Sequence, residues 1–94
     1  MTVKIIIKRK VPNHAIIDLT MLLKRLRSLT LSQPGYISGE TLKRIDRPDE
    51  CIVISTWRSF EDWNAWFNDK QRRKVQAEID DLLGEKTEYA LYDN

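Results

Sequence analysis

The segment Cys51 to Trp57, CIVISTW, constrains the fold most. It is short, rich in β-branched residues and bounded by turn-forming residues, so it reads as a strand. Cys51, Val53 and Trp57 point to one face and Ile52 and Ile54 to the other. Apolar residues on both faces mean that both faces are covered. Helices from the same chain supply one cover. A four-stranded sheet with two helical segments leaves its second face open, and the same face of a second copy is the simplest cover for it. A homodimer is therefore expected.

The rest of the chain supplies the partners of that strand. Val3 to Val11 alternates Val3, Ile5, Ile7 and Val11 with Lys4, Lys8 and Lys10, the period of a half-buried strand. Pro12-Asn13 ends it, and Asn13 is the expected N-cap of a helix carrying Ile16, Leu19, Leu22, Leu23 and Leu26 at helical spacing. Pro34-Gly35 turns the chain into a strand from Tyr36 to Ile45, and Asp46 to Asp49 has the composition of a hairpin turn. Ser59 to Asp62 resembles a capping box ahead of a short helix with Phe60, Trp63, Trp66 and Phe67. Asn68-Asp69 restarts the helix through Val75, Ile79, Leu82 and Leu83. Gly84 stops it, and Thr87 to Tyr92 forms the last strand. The order is β-α-β-β-α-β. The expected class is α+β, one domain over residues 1–94.

A chain of 94 residues makes a thin core, which again favours a partner subunit. Sixteen basic and 14 acidic residues leave a net charge of +2, too mild to call for nucleic acid. The strands offer no aromatic stripe for stacking bases. The one cysteine, Cys51, makes neither an internal disulfide nor a thiolate cluster. No Gly-rich phosphate loop, His-x-x-x-His or Cys-x-x-Cys motif occurs, so no metal site and no cofactor site is expected. The lysine-broken N-terminus reads as neither signal peptide nor membrane span, and a cytoplasmic protein is expected.

From Pro34 onward the chain resembles the antibiotic biosynthesis monooxygenase (ABM) family. The likeness lies in Pro34-Gly35-Tyr36-Ile37-Ser38-Gly39-Glu40, Val53-Ile54-Ser55-Thr56-Trp57, Phe60-Glu61-Asp62-Trp63-Asn64-Ala65-Trp66 and the tail from Glu85 to Tyr92. It implies a ferredoxin-like sandwich with an antiparallel four-stranded sheet, paired sheet to sheet as a dimeric α+β barrel. It also implies a monooxygenase activity, either cofactor-independent oxidation of a quinol or polycyclic phenol or degradation of haem. The strand-end tryptophan of the cofactor-independent members is present as Trp57. Val53 and Trp63 stand where the best-understood member has asparagine and tyrosine. A tryptophan of the haem degraders matches Trp66, but Gln76 stands where they place the haem-ligating histidine, so haem chemistry is the less favoured branch.

These readings give candidate residues. Trp66 and His14 are the catalytic candidates, His14 because an imidazole titrates near neutral pH. Trp57, Trp63, Tyr36, Asn64 and Asn68 are candidates for binding a small aromatic substrate. Trp63 and Trp66 lie three apart on one helix, so they are neighbours. Aromatic residues at that spacing also simply pack a helix onto a sheet. Lys70, Arg72, Arg73 and Lys74 crowd the first turns of the last helix, where the dipole disfavours cations. Such a cluster either draws an anionic ligand or forms a solvated face, with Lys74 paired to Glu78. A non-catalytic dimer that binds a small ligand or a partner protein is the alternative function.

Overall fold

A computed structural model describes residues 2–93. Four strands form one antiparallel sheet: β1 (Val3–Lys10), β2 (Tyr36–Lys43), β3 (Glu50–Trp57) and β4 (Glu88–Asp93), in the order β2-β3-β1-β4. The central pair β1 and β3 is in continuous register from Val3 opposite Trp57 to Lys10 opposite Glu50. Three helices, α1 (Ile16–Thr30), α2 (Phe60–Phe67) and α3 (Lys70–Leu83), provide the second layer of an α+β ferredoxin-like sandwich. Among the described residues, no helix is long and apolar enough to cross a membrane.

Local chemistry sets the boundaries. Ser59 Oγ accepts from Asp62 N at 3.2 Å and donates to the Asp62 carboxylate at 3.0 Å, so the expected capping box closes through the two side chains. Asp69 Oδ1 accepts from the amides of Gln71 and Arg72 and starts α3. Gly84 ends α3 with φ 72°, and Gly35 turns the chain into β2 with φ 81°. The expectation for Asn13 needs correcting. Residues Asn13–Ala15 form a 3-10 turn first, and α1 begins at Ile16 behind Ala15 with no side-chain cap.

The alternation in β1 and β3 sends Val3, Ile5 and Trp57 toward the helices. There they join Trp63 and Trp66 in one buried cluster. A second cluster, Leu19, Val75, Ile79 and Leu83 with Ala15, holds α1 against α3. Ile6, Ile52 and Ile54 lie on the opposite, helix-free face, half-buried by their strand neighbours. Leu42 and Tyr92 extend that face outward and are exposed.

Candidate functional site

A cavity of about 270 Å³ opens between α1 and the helix-facing side of the sheet. Its volume is close to the lower end of the range for ligand pockets. Trp63 and Trp66 from α2 form an aromatic wall, and Leu23 and Leu26 from α1 form an aliphatic one. Ile7 and Arg9 of β1 and Val53 and Ser55 of β3 make the floor, with Tyr36 beside them. Arg72 and Gln76 from α3 and Tyr89 from β4 complete the lining, and Lys24 and Arg27 also border it. Aspartate and glutamate are missing from the described lining.

Trp57 lies under this wall rather than in it. Its ring is fully buried, meets Tyr36 and Trp63 edge-on at 5.4 and 5.7 Å, and is absent from the lining. Its indole N–H donates to Ser55 Oγ at 2.8 Å and so fixes a hydroxyl on the cavity floor. Trp57 therefore acts on the cavity through Tyr36, Trp63 and Ser55.

The polar lining is unusual for its buried cations. Arg9 is 4% exposed; its Nη2 donates to Gln76 Oε1 at 3.3 Å, and its Nε has no hydrogen-bond partner. Gln76 is oriented by its own amide, which donates to Thr87 Oγ1 at 2.7 Å and to Asp80 Oδ1 at 2.8 Å, leaving its carbonyl for Arg9. Arg72 is also 4% exposed. It donates to the Phe67 carbonyl and to the Tyr89 hydroxyl, and its guanidinium lies 4.5 Å from the centre of the Phe67 ring. Burial pushes both guanidinium pKa values down, and Arg72 pushes that of Arg9 further down. Burial likewise raises that of the Tyr89 hydroxyl.

Of the residues proposed from sequence, Tyr36, Trp63 and Trp66 come together on the cavity. His14 is exposed on the 3-10 turn and does not line it. Asn64 and Asn68 are exposed and also outside the lining; the Asn68 side chain donates to the Asn64 carbonyl at 2.8 Å and finishes α2. The basic cluster of α3 divides. Lys70, Arg73 and Lys74 are exposed, whereas Arg72 turns inward, and Glu78 pairs with Arg25 at 3.3 Å rather than serving Lys74. Arg9, Ser55, Gln76 and Tyr89 are site residues that sequence reasoning missed. For Arg9 the signal was present: position 9 falls on the same face as Val3, Ile5 and Ile7, and a charge on an apolar face asks for a reason. Among the described residues, no group of three His, Cys, Asp or Glu side chains is placed to hold a metal.

Fold and site together define a small ferredoxin-like domain with an aromatic, cationic cavity between helices and sheet. The model of the antibiotic biosynthesis monooxygenase family matches residues 2–78, and the chain belongs to that family. No curated protein matches it in sequence. Several solved structures share the fold. A conserved protein from Methanosarcina mazei Go1 is 16% identical with a TM-score of 0.91, covering 100% of this chain and 93% of its own. SnoaB, a cofactor-independent oxygenase from Streptomyces nogalater, is 15% identical with a TM-score of 0.86, covering 99% and 92%. Rv0793 from Mycobacterium tuberculosis is 17% identical with a TM-score of 0.86, covering 100% and 95%. At these identities the likeness establishes the fold.

Proposed function

We propose that this chain is a cofactor-independent monooxygenase that oxidises an electron-rich phenol or quinol in the cavity. The observation that carries the reading is the placement of Trp63 and Trp66. Both belong to the buried cluster under the helices, and both also line the cavity. Flat rings beside aliphatic side chains offer stacking area to a planar substrate at small entropic cost. Membership of the family and the fold shared with SnoaB support the same chemistry.

The reaction needs little from the protein. A bound phenol loses its proton to water at the cavity mouth. Its anion passes one electron to dioxygen, and the ring radical and superoxide combine to form a ring peroxide. Loss of the ring proton and cleavage of the O–O bond leave one oxygen on the ring as a new carbonyl and release the other as water. One phenol and one dioxygen thus give one quinone and one water. Trp66 and Trp63 hold the ring, Tyr36 closes its edge, and Ser55 and Tyr89 offer hydroxyls to its oxygens. His14 lies outside this cavity and is given no part. Single-turnover reaction under isotope-labelled dioxygen tests the proposal. One labelled oxygen per quinone is expected; label entering only from water, or product formed no faster than without protein, would defeat it.

A second copy is proposed to cover the helix-free face of the sheet. Ile6, Ile52 and Ile54 form its apolar centre, with Leu42 toward one edge and Tyr92 toward the other. Lys4 and Lys8 flank that centre, held by Thr56 at 3.2 Å and Glu50 at 3.4 Å. An apolar patch with a polar border is the form of an association surface.

A further inference from the structure

We infer that the cavity selects an aromatic acid, a planar ring bearing a carboxylate, and that Arg9 and Arg72 with the Tyr89 hydroxyl hold the carboxylate. The inference rests on the reading of the cavity as a ring-binding site and names the class of ring.

Arg9 carries the argument. A guanidinium 4% exposed, with Nε unpartnered and a single long bond to an uncharged amide, is a desolvated charge whose opposite is missing. Buried charges in proteins are paired as a rule. Among the described residues the ion pairs all lie elsewhere: Lys8 and Arg44 share Glu50, Arg44 also meets Asp46, Arg25 meets Glu78, and Arg58 meets Asp62. Asp80 acts on Arg9 electrostatically without pairing with it, and its Oδ1 already accepts from Gln76 and from the amide and hydroxyl of Thr87.

Arg72 and Tyr89 widen the cradle. The Tyr89 oxygen accepts from Arg72, so its own proton is left to donate, and burial keeps that proton in place at neutral pH. Two guanidinium groups and a phenol therefore present donors to one cavity whose described lining holds no aspartate or glutamate. Lys24 and Arg27 add positive potential beside it. A carboxylate suits this set better than a phenolate, because its two oxygens accept from several donors at once and match a planar guanidinium in pairs. The Trp63–Trp66 wall then receives the ring, and Arg72, already against Trp63 and Phe67, joins the cationic and aromatic parts.

Calorimetric titration without dioxygen tests this apart from any turnover. The probes are 2-naphthoate and 2-naphthamide, equal in shape and differing in charge. The wild-type protein is expected to bind the naphthoate at least about tenfold more tightly, a difference of about 1.4 kcal/mol. Arg9→Gln should lose most of that preference while binding the amide within about threefold of wild type, and Arg9→Lys should keep part of it. Circular dichroism checks the fold, and Arg9→Lys carries the test should Arg9→Gln not fold. Equal affinity for the two probes, or full preference retained in a folded Arg9→Gln, would overturn the acid selectivity and leave the ring site standing. Binding of neither probe would overturn both.

Discussion

Replacing Arg9 with methionine should make the protein more stable, although it removes a buried hydrogen-bonding residue. Arg9 holds a charge out of water with its Nε unpartnered, and its one side-chain bond, to Gln76, is 3.3 Å long. Desolvating such an ion costs several kcal/mol even after relaxation, and replacing buried charges by apolar residues of similar length is often neutral or stabilising by about 1–4 kcal/mol. Methionine keeps the unbranched stem on the sheet face that Ile7 and Val53 also supply to the cavity floor. Against this gain stands the loss of a long hydrogen bond, and the Gln76 carbonyl left without its donor costs about 1–3 kcal/mol. Gln76 lines the cavity, where water can replace the guanidinium, so the lower end applies. The balance is a stabilisation of about 1 kcal/mol, which in a domain of this size raises Tm by about 4–8 °C. Thermal unfolding followed by circular dichroism reads it directly. Arg9→Ala, which also removes the stem, should lie below Arg9→Met. A fall of about 4 °C or more in Arg9→Met would refute the reasoning, because the guanidinium would then be a net contributor to the empty protein.

Other perturbations test other parts of the account. Gly35→Ala forces a side chain into a left-handed backbone and onto the Asp62 carboxylate of the capping box, whereas a Cβ at Gly84 meets nothing. Denaturant melts should show a loss of about 2–4 kcal/mol for the first and about 1 kcal/mol for the second; equal losses would contradict the assigned clash. Ile54→Lys places a charge at the centre of the helix-free sheet face, and analytical ultracentrifugation should find a dimer for the wild type and a folded monomer for the variant; a monomeric wild type would contradict the proposed pairing. Glu50 is held below the usual glutamate range first by Arg44 and then by Lys8. Its folded pKa is depressed, so its contribution is complete above the ordinary value of about 4.3 and is lost as pH falls below it. Urea midpoints at neutral pH and at roughly pH 3 should therefore differ less in Glu50→Gln than in wild type; identical falls would count against the Arg44–Glu50–Lys8 cluster.

The element order could be read from the sequence because each element carries a local signature. Alternation marks Val3 to Lys10, a turn with positive φ is encoded by Gly35, and Ser59 and Asp69 cap the helices that follow them. Asn13 misled because its capping propensity is real but local, while the chain makes a 3-10 turn there before α1 begins. The tryptophans were recognisable as a group, yet only packing decides that Trp57 is buried beneath Trp63 and that Trp66 faces the cavity. Arg9 was hidden by its neighbours: in the run Lys8-Arg9-Lys10 a charged tract looks solvated, and only strict alternation separates the inward arginine from the two lysines. Arg72 belonged to a cluster that violates the helix-dipole rule, but which of its four members turns inward depends on how α3 meets Phe67 and Tyr89. His14, Asn64 and Asn68 were chosen for their chemistry, and chemistry alone does not bring a side chain to a cavity.

The central claim is that the Trp63–Trp66 cavity oxidises aromatic substrates with dioxygen. Oxygen uptake by the purified, metal-stripped protein, offered hydroquinones and polycyclic phenols with and without a carboxylate, tests it most directly, with Trp66→Ala measured alongside. The account predicts uptake above the uncatalysed rate, and a fall of at least about tenfold in a folded Trp66→Ala. Uptake unchanged in that variant would contradict the placement of the chemistry in this cavity, and none across the panel from a protein that still binds 2-naphthoate would contradict the oxidation itself and identify the chain as a binding module.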